Sequence, residues 1–379
     1  MSQESLPHII PFSRPNIGEL EKKYALEAIR SNFLQNGGSF VIDVESVLSQ
    51  LHSGATAILT TSCSDALEMA CHLLNLKNGD EVVVPSYTFS STANAVIAAG
   101  GTPVFADISM EGFTMGLSEI KPALTPRTKA IIAVNYAGNG DSLPELASFC
   151  QKNKLILIED NAHGLGGMLE NKTIGTFGDI STLSFHATKN LTCGEGGALI
   201  LNNSDLIEQA YLLRDKGTNR RQFMLGQADK YTWHNFGSSY GLNDVSAAIL
   251  KGQLERITEI QSARLQMWQS LRINLENWAE RNNFTLPKSQ KSYTSHIFWM
   301  LAPDLNTRNR IILHLKKSRV NSTFHYVPLH SSPMGLNFRN TGCLNSEELG
   351  ARLLRLPLGS NYESNELDRI IQGVLTFGA

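Results

Sequence analysis

Four short stretches of this chain carry residues able to do chemistry. SFHATKN, Ser184 to Asn190, runs into the glycine-rich TCGEGGALI and puts Lys189 just past a predicted strand end, among Thr188, Asn190 and Thr192. A primary amine there can face a cavity while a rigid sheet holds its backbone. TTSCSDALEMA, Thr60 to Ala70, reads as a strand end turning into a helix. Ser62, Cys63 and Ser64 then supply hydroxyls and free N–H groups at a helix N-terminus, which suits a phosphate, although Ser64 alone reads first as an N-cap with Asp65 favouring the dipole. In LILIEDNAHG, Asp160 follows an apolar strand and emerges at its carboxyl end, where a carboxylate can pair with a protonated pyridine nitrogen. His163 either contacts a ring oxygen of such a group or is a satisfied buried histidine. Phe89, in PSYTFSSTANAV, is either a ring stacking on a planar ligand or part of the core. A lone lysine is usually a solvated cation; the company of these groups is what singles out Lys189.

Positioning them takes an alternating fold. Short apolar runs predict strands at 57–61, 81–85, 103–106, 130–135, 155–159 and 198–201, separated by helices such as 66–76, 93–99 and 143–152. Continuous rather than alternating apolar strands mean a mostly parallel sheet covered on both faces, and ligands bind beyond the carboxyl ends of such strands. Ahead of it, helices are expected from about Gly18 to Ser31 and, after Gly37 and Gly38, to Leu51. A basic, aromatic segment from Arg214 to Ser239 is followed by a long helical pattern from about Asn243. Strands near 296–301 and 323–327 and helices near 307–317, 347–355 and 364–375 complete the pattern. The expected division is a large domain over residues 1–250 and a small α/β domain over 251–379.

The 379 residues are 42% hydrophobic and 18% charged, with net charge −2. That composition describes a globular protein too long for one core and not basic enough for a nucleic-acid partner. No apolar run reaches membrane-spanning length, and the N-terminus lacks the build of a signal peptide. Five cysteines without a C-x-x-C pair fit a reducing cytoplasm rather than a disulfide or zinc framework.

TSCSDALEMA, DEVVVPSYTFSSTANA, IEDNAHG, SFHATKN with GEGGA, RDKGTNRRQF with DKYTWHNFGSSY, FHYVPLH and LLRLPL together resemble the sugar aminotransferase family of the DegT/DnrJ/EryC1/StrS type over nearly the whole chain. The likeness is closest to transaminases making dTDP-4-amino-4,6-dideoxyhexoses. It implies the aspartate aminotransferase-like α/β fold, fold type I, and pyridoxal 5'-phosphate as cofactor. Lys189 would form the Schiff base, Asp160 would face the pyridine nitrogen with His163 beside it, and Phe89 would stack. Ser184, Ser62, Cys63 and Ser64 would hold the phosphate. A second subunit would contribute Ser239, where the family often has asparagine; Gly241 replaces a usual arginine, and Cys63 a common glycine. Relatives with histidine at the Schiff-base position are dehydratases, and Lys189 argues against that activity. Lys216, Asn219, Arg220, Lys230 and Tyr231 either face a nucleotide or form a basic solvated loop. His325 and His330 are read as a loop near the substrate mouth, since no third ligand makes them a metal site.

The expected reaction is ping-pong transfer of an amino group from L-glutamate to C4 of dTDP-4-keto-6-deoxy-D-glucose, in a homodimer that makes surface-polysaccharide precursors in the cytoplasm. The alternatives are a C3 or UDP-linked keto-sugar substrate, or a non-catalytic cofactor- or sugar-binding relative.

Overall fold

The structure, a computed structural model, describes residues 8–288 and 294–378. Strands β1 Thr56–Thr60, β2 Glu81–Pro85, β3 Thr102–Ala106, β4 Thr128–Val134 and β5 Ile156–Asp160 are followed by a two-stranded ribbon, β6 Met168–Leu169 and β7 Lys172–Thr173. Then come β8 Ile180–Ser184 and β9 Gly197–Leu201. Apart from the ribbon, these strands form one seven-stranded sheet in the order β1-β9-β8-β5-β4-β2-β3. β3, β2, β4, β5 and β8 run parallel, while β9 is antiparallel to both β8 and β1. The apolar runs explain this arrangement. All five residues of β2 are buried, and a valine such as Val83 contributes roughly 1.5–3 kcal/mol by leaving water on a sheet covered on both faces.

Register sets one functional edge. Thr60 and Ser184 both pair with Gly197, and Asp160 pairs with Thr182. The carboxyl ends of β1, β5 and β8 therefore open on the same side. Gly197 makes the close approach possible, since a Cβ there would lie 2.4 Å from the Ser62 carbonyl carbon and 2.5 Å from the Cys63 nitrogen.

A three-stranded antiparallel sheet, β10 Phe298–Leu301, β11 Thr323–Phe324 and β12 Leu353–Leu356, has β12 at its centre. Its core takes Trp268, Leu271 and Leu275 from the helix Ile257–Arg281, Ile311 and Leu315 from Leu305–Lys317, and Ile370 and Val374 from Ser364–Leu375. It also takes Ile10 from the start of the described chain. Two expectations need correction here. The helix expected near 347–355 stops at Arg352, because LLRL is an apolar run whose four residues are all buried as a central strand. The long helical pattern from Asn243 is two helices, Asp244–Glu255 and Ile257–Arg281, separated at Arg256. No described helix is long and apolar enough to cross a membrane.

Candidate active site

Beyond that edge lies a cavity of about 690 Å³ whose lining includes Ser62, Cys63, Ser64, Phe89, Asp160, His163, Ser184, Lys189 and His325. The sheet, two helix N-termini and the small sheet each supply part of it.

The first helix, Cys63–His72, starts directly after β1. Ser62 caps it, its hydroxyl accepting the Asp65 N–H at 3.0 Å, and Cys63 takes the first helical position without a positive φ. The expected glycine is therefore not needed for this turn. The second helix, Ser90–Ala98, begins after Phe89, whose side chain is 60% exposed at the cavity. Ser64 Oγ and Ser91 Oγ are 2.6 Å apart, which brings the two helix starts together. Their unpaired N–H groups and serine hydroxyls make a polar end suited to a phosphate-sized anion. The Cys63 thiol, pushed up to about 12 by burial, stays protonated beside Thr182.

The middle of the cavity holds an amine and a carboxylate. Lys189 sits in the loop after β8, where its own N–H bonds the His186 carbonyl at 2.9 Å. The neighbouring Asn190 amide donates to the Thr294 carbonyl at 2.7 Å, which anchors this loop to the chain just before β10. Burial lowers the Lys189 amine to about 8, against which Asp160 exerts the opposing pull. Asp160, at the end of β5, accepts from the Thr92 hydroxyl at 2.8 Å and from the Ala162 N–H at 3.4 Å. Burial holds its carboxyl above the usual carboxylate range.

Histidines close the third side. The Ala137 N–H points at His163 Nδ1, 3.3 Å away. An amide N–H can only donate, so Nδ1 is bare and neutral His163 carries its proton on Nε2. Its ring lies 4.2 Å from that of His296 and parallel to that of His325 at 6.3 Å. His296 Nδ1 meets Asn190 Oδ1 at 2.8 Å, and because the Asn190 amide already donates to Thr294, the histidine is the donor there. Burial keeps all three histidines well below their ordinary pKa, hence neutral at pH 7.

Other expected site residues lie outside this lining. His330 is tied to Ser86 Oγ at 2.6 Å and Glu347 at 3.2 Å, pinning its loop to the end of β2. Asn219 is buried as a clamp, its amide on the Lys230 carbonyl at 3.0 Å and its oxygen taking the Thr232 N–H at 2.8 Å. Lys216, Lys230, Tyr231 and Ser239 are exposed and Arg220 partly so, on the same segment as Trp233, Met224 and Phe236. Residues the sequence reading passed over also line the cavity: Ser91, Thr92, Arg264, His296 and Arg355. SSTANA, with three hydroxyls at a helix start, held a signal for the first two. Nothing local to the sequence marks the last three.

The sequence profile of the DegT/DnrJ/EryC1/StrS aminotransferase family matches residues 15–375. GDP-perosamine synthase of Vibrio cholerae is 28% identical over 332 residues, 86% of this chain and 87% of that protein. The spore coat polysaccharide biosynthesis protein SpsC of Bacillus subtilis is 27% identical over 379 residues, covering 97% of this chain and 96% of that one. Among solved structures, the aminotransferase TlmJ from Streptoalloteichus hindustanus superposes with a TM-score of 0.89 at 26% identity, covering 97% of this chain and 98% of that chain.

Proposed function

The chain belongs to the DegT/DnrJ/EryC1/StrS aminotransferase family, whose members are pyridoxal phosphate-dependent sugar aminotransferases, and from that premise we propose that it moves the amino group of L-glutamate to C4 of a nucleotide-linked 4-keto-6-deoxyhexose. The observation that carries this reading is one cavity joining an amine lowered to about 8, a buried carboxylate and a serine-lined pair of helix N-termini.

The donor set fits pyridoxal phosphate. Asp160 is a buried carboxylate that a pyridinium would answer, and the serine-lined end has N–H groups and hydroxyls that a phosphate would take up. When bound, the cofactor supplies an electron-withdrawing ring that accepts the electron pair left at the donor's alpha carbon.

The protein's residues do the rest. Ser62, Ser64 and Ser184 with the Cys63 backbone would hold the phosphate. Asp160, fixed by Thr92, would keep the ring nitrogen protonated. His163 would offer its Nε2 proton to the ring oxygen, and Phe89 would cover the ring. Lys189 Nζ, which burial lowers to about 8, would take the proton from the donor's alpha carbon and pass it to the cofactor carbon that takes over the amino group. On the sugar side the same amine would carry a proton the other way, from that cofactor carbon to C4, as the amino group passes to the sugar.

The nucleotide has two readings. The sequence resemblance favours dTDP-4-keto-6-deoxy-D-glucose, and the GDP-perosamine synthase relative favours a GDP-linked sugar. Lys216, Arg220, Lys230, Tyr231 and His325 remain the proposed sugar-nucleotide contacts, with Asn219 and His330 holding the loops that carry them. The segment from Lys216 to Ser239 would reach the cavity of a partner protomer in a homodimer, and its exposed Trp233 and Phe236 support that reading. The product would serve surface-polysaccharide synthesis, as the name of SpsC suggests for that relative.

Each keto-sugar is offered with L-glutamate and the product read by proton NMR. An amino sugar from one nucleotide and not the other assigns the substrate; large couplings on both sides of C4 mean an equatorial amine, and a small coupling to H3 an axial one. If neither gives an amino sugar while glutamate still changes the cofactor's visible spectrum, the sugar assignment is wrong.

A further inference from the structure

Arg355 carries a charge that no carboxylate among the described residues answers. It lies in β12, 9% exposed, and lines the cavity that holds Lys189 and Asp160. Its Nε has no hydrogen-bond partner. Its titratable neighbours are the phenols of Tyr136, Tyr326 and Tyr87, which burial raises and so keeps neutral at pH 7. The contrast with Arg214 is direct, since that buried guanidinium has Asp215 at 3.0 Å and Glu45 at 3.5 Å. A buried, unpaired cation is costly, so a chain that keeps one beside a reaction centre keeps it for an anion that arrives from outside. The Phe12 ring, 4.5 Å from Arg355 Cζ, lies against one face of the guanidinium and fixes its plane.

We propose that Arg355 binds the alpha carboxylate of the amino donor, in two parallel N–H···O bonds beside Lys189. This rests on the amino-acid donor proposed above. A planar guanidinium and a carboxylate match in this bidentate way. The alternative anion is the sugar nucleotide's diphosphate. The donor's carboxylate is attached to the very carbon whose proton Lys189 takes, whereas a diphosphate on C1 is separated from C4 by the sugar ring. Arg355 is deep enough to act on the charge of the Lys189 amine and of His163, His296 and His325, which places it at the reacting end rather than at the mouth.

The test compares wild type, Arg355→Gln and Arg355→Lys, each loaded with pyridoxal phosphate. Conversion of the cofactor by L-glutamate alone is followed by its visible spectrum, and binding of 2-methylglutamate, which has no alpha hydrogen to lose, by calorimetry. Arg355→Gln is expected to raise the half-saturating glutamate concentration about 100-fold and to weaken 2-methylglutamate equally. The limiting rate should change much less, cofactor affinity should hold, and Arg355→Lys should recover part of the loss. Thermal stability of the Gln variant should be equal to or above that of wild type, because an unpaired buried charge has gone. Unchanged glutamate dependence in Arg355→Gln overturns the proposal, as does loss of cofactor binding together with lowered stability. If the wild-type spectrum ignores L-glutamate but responds to another amino acid, glutamate is refuted as donor and the same comparison runs with that amino acid, where a raised half-saturating concentration in Arg355→Gln supports the proposal and an unchanged one overturns it. A wild type that ignores every amino acid overturns both readings.

Discussion

Thr92 Oγ1 lies 2.8 Å from Asp160 Oδ2 and 2.9 Å from Thr88 Oγ1. A carboxylate accepts only, so the single Thr92 proton goes to Asp160, and Thr88 must donate to Thr92. The start of the helix Ser90–Ala98 thereby orients a carboxylate that stands at the end of a strand two positions away in the sheet. Thr92→Val keeps the shape and removes the donor. Losing one hydrogen bond to a charged group costs about 1.5–3 kcal/mol, so cofactor affinity or turnover should fall roughly 10- to 100-fold. Asp160→Asn should fold normally by circular dichroism and turn over more slowly still. Wild-type kinetics in either variant would remove the pair from the site.

Lys189→Ala should lose turnover yet bind pyridoxal phosphate non-covalently, and borohydride should fix no cofactor on the protein; normal activity would sink the assignment.

The lowered amine also links stability to pH. In the unfolded chain Lys189 keeps its proton up to the ordinary lysine range near 10.5, whereas in the cofactor-free fold it loses it near 8. Between those values the unfolded state binds more protons, so stability rises with pH across that window. The cost of burying the charged amine is felt in full below 8. Cofactor-free Lys189→Met should therefore melt above wild type at pH 7, and the gap should shrink as pH rises from 8 towards 10.5. A pH-independent gap would mean that the amine is not desolvated.

Glu159, next to Asp160, faces the other side of β5 and has a different role. It is fully buried and accepts the Gly175, Phe177 and Gly178 N–H groups at 2.8, 2.7 and 2.8 Å, with the Asn135 amide at 3.2 Å. Removing it strands three backbone donors, each worth about 1–3 kcal/mol when left unsatisfied. Glu159→Ala should lower stability in urea by at least about 3 kcal/mol. Any active folded fraction should keep the wild-type response to glutamate. Unchanged stability would mean that the 175–178 turn holds without it.

What was legible in the sequence were the features that local patterning encodes. EVVVP at Glu81–Pro85 and the amphipathic Ser364–Leu375 were read with the bounds the structure has. Lys189, Asp160 and the Ser62–Ser64 turn could be set at strand ends because apolar runs stop just before them. Partnerships across the sheet were not legible. Thr92 reaches Asp160 over 68 positions, and His296 enters from the segment just before β10, so neither has a nearby sequence partner. Arg355 was hidden by a wrong element: read as the end of a helix, it belongs to a strand, and on a strand one residue decides which face a side chain takes. For the segment Lys216–Ser239 the sequence leaves a nucleotide contact and a basic solvated loop both open, with Ser239 expected at a second subunit's site, and the segment lies outside the cavity of its own protomer.

That last placement makes a prediction of its own. Trp233 is 80% exposed, Met224 69% and Phe236 55%, a concentration of apolar area on the segment that carries Ser239. If it docks against a second copy and brings Ser239 to that copy's phosphate end, then Trp233→Glu should shift sedimentation from dimer to monomer and lose activity with it. Complementation separates sharing from mere contact. Lys189→Ala lacks the reactive amine, and Ser239→Asp would set a carboxylate against the phosphate, so each protein alone should be nearly inactive. Mixed and refolded in equal amounts, they give heterodimers in which one site has both Lys189 and Ser239. Random pairing then restores about a quarter of wild-type activity in a two-fold symmetric dimer. No recovery, with heterodimers shown to have formed, would mean that each protomer builds its site alone.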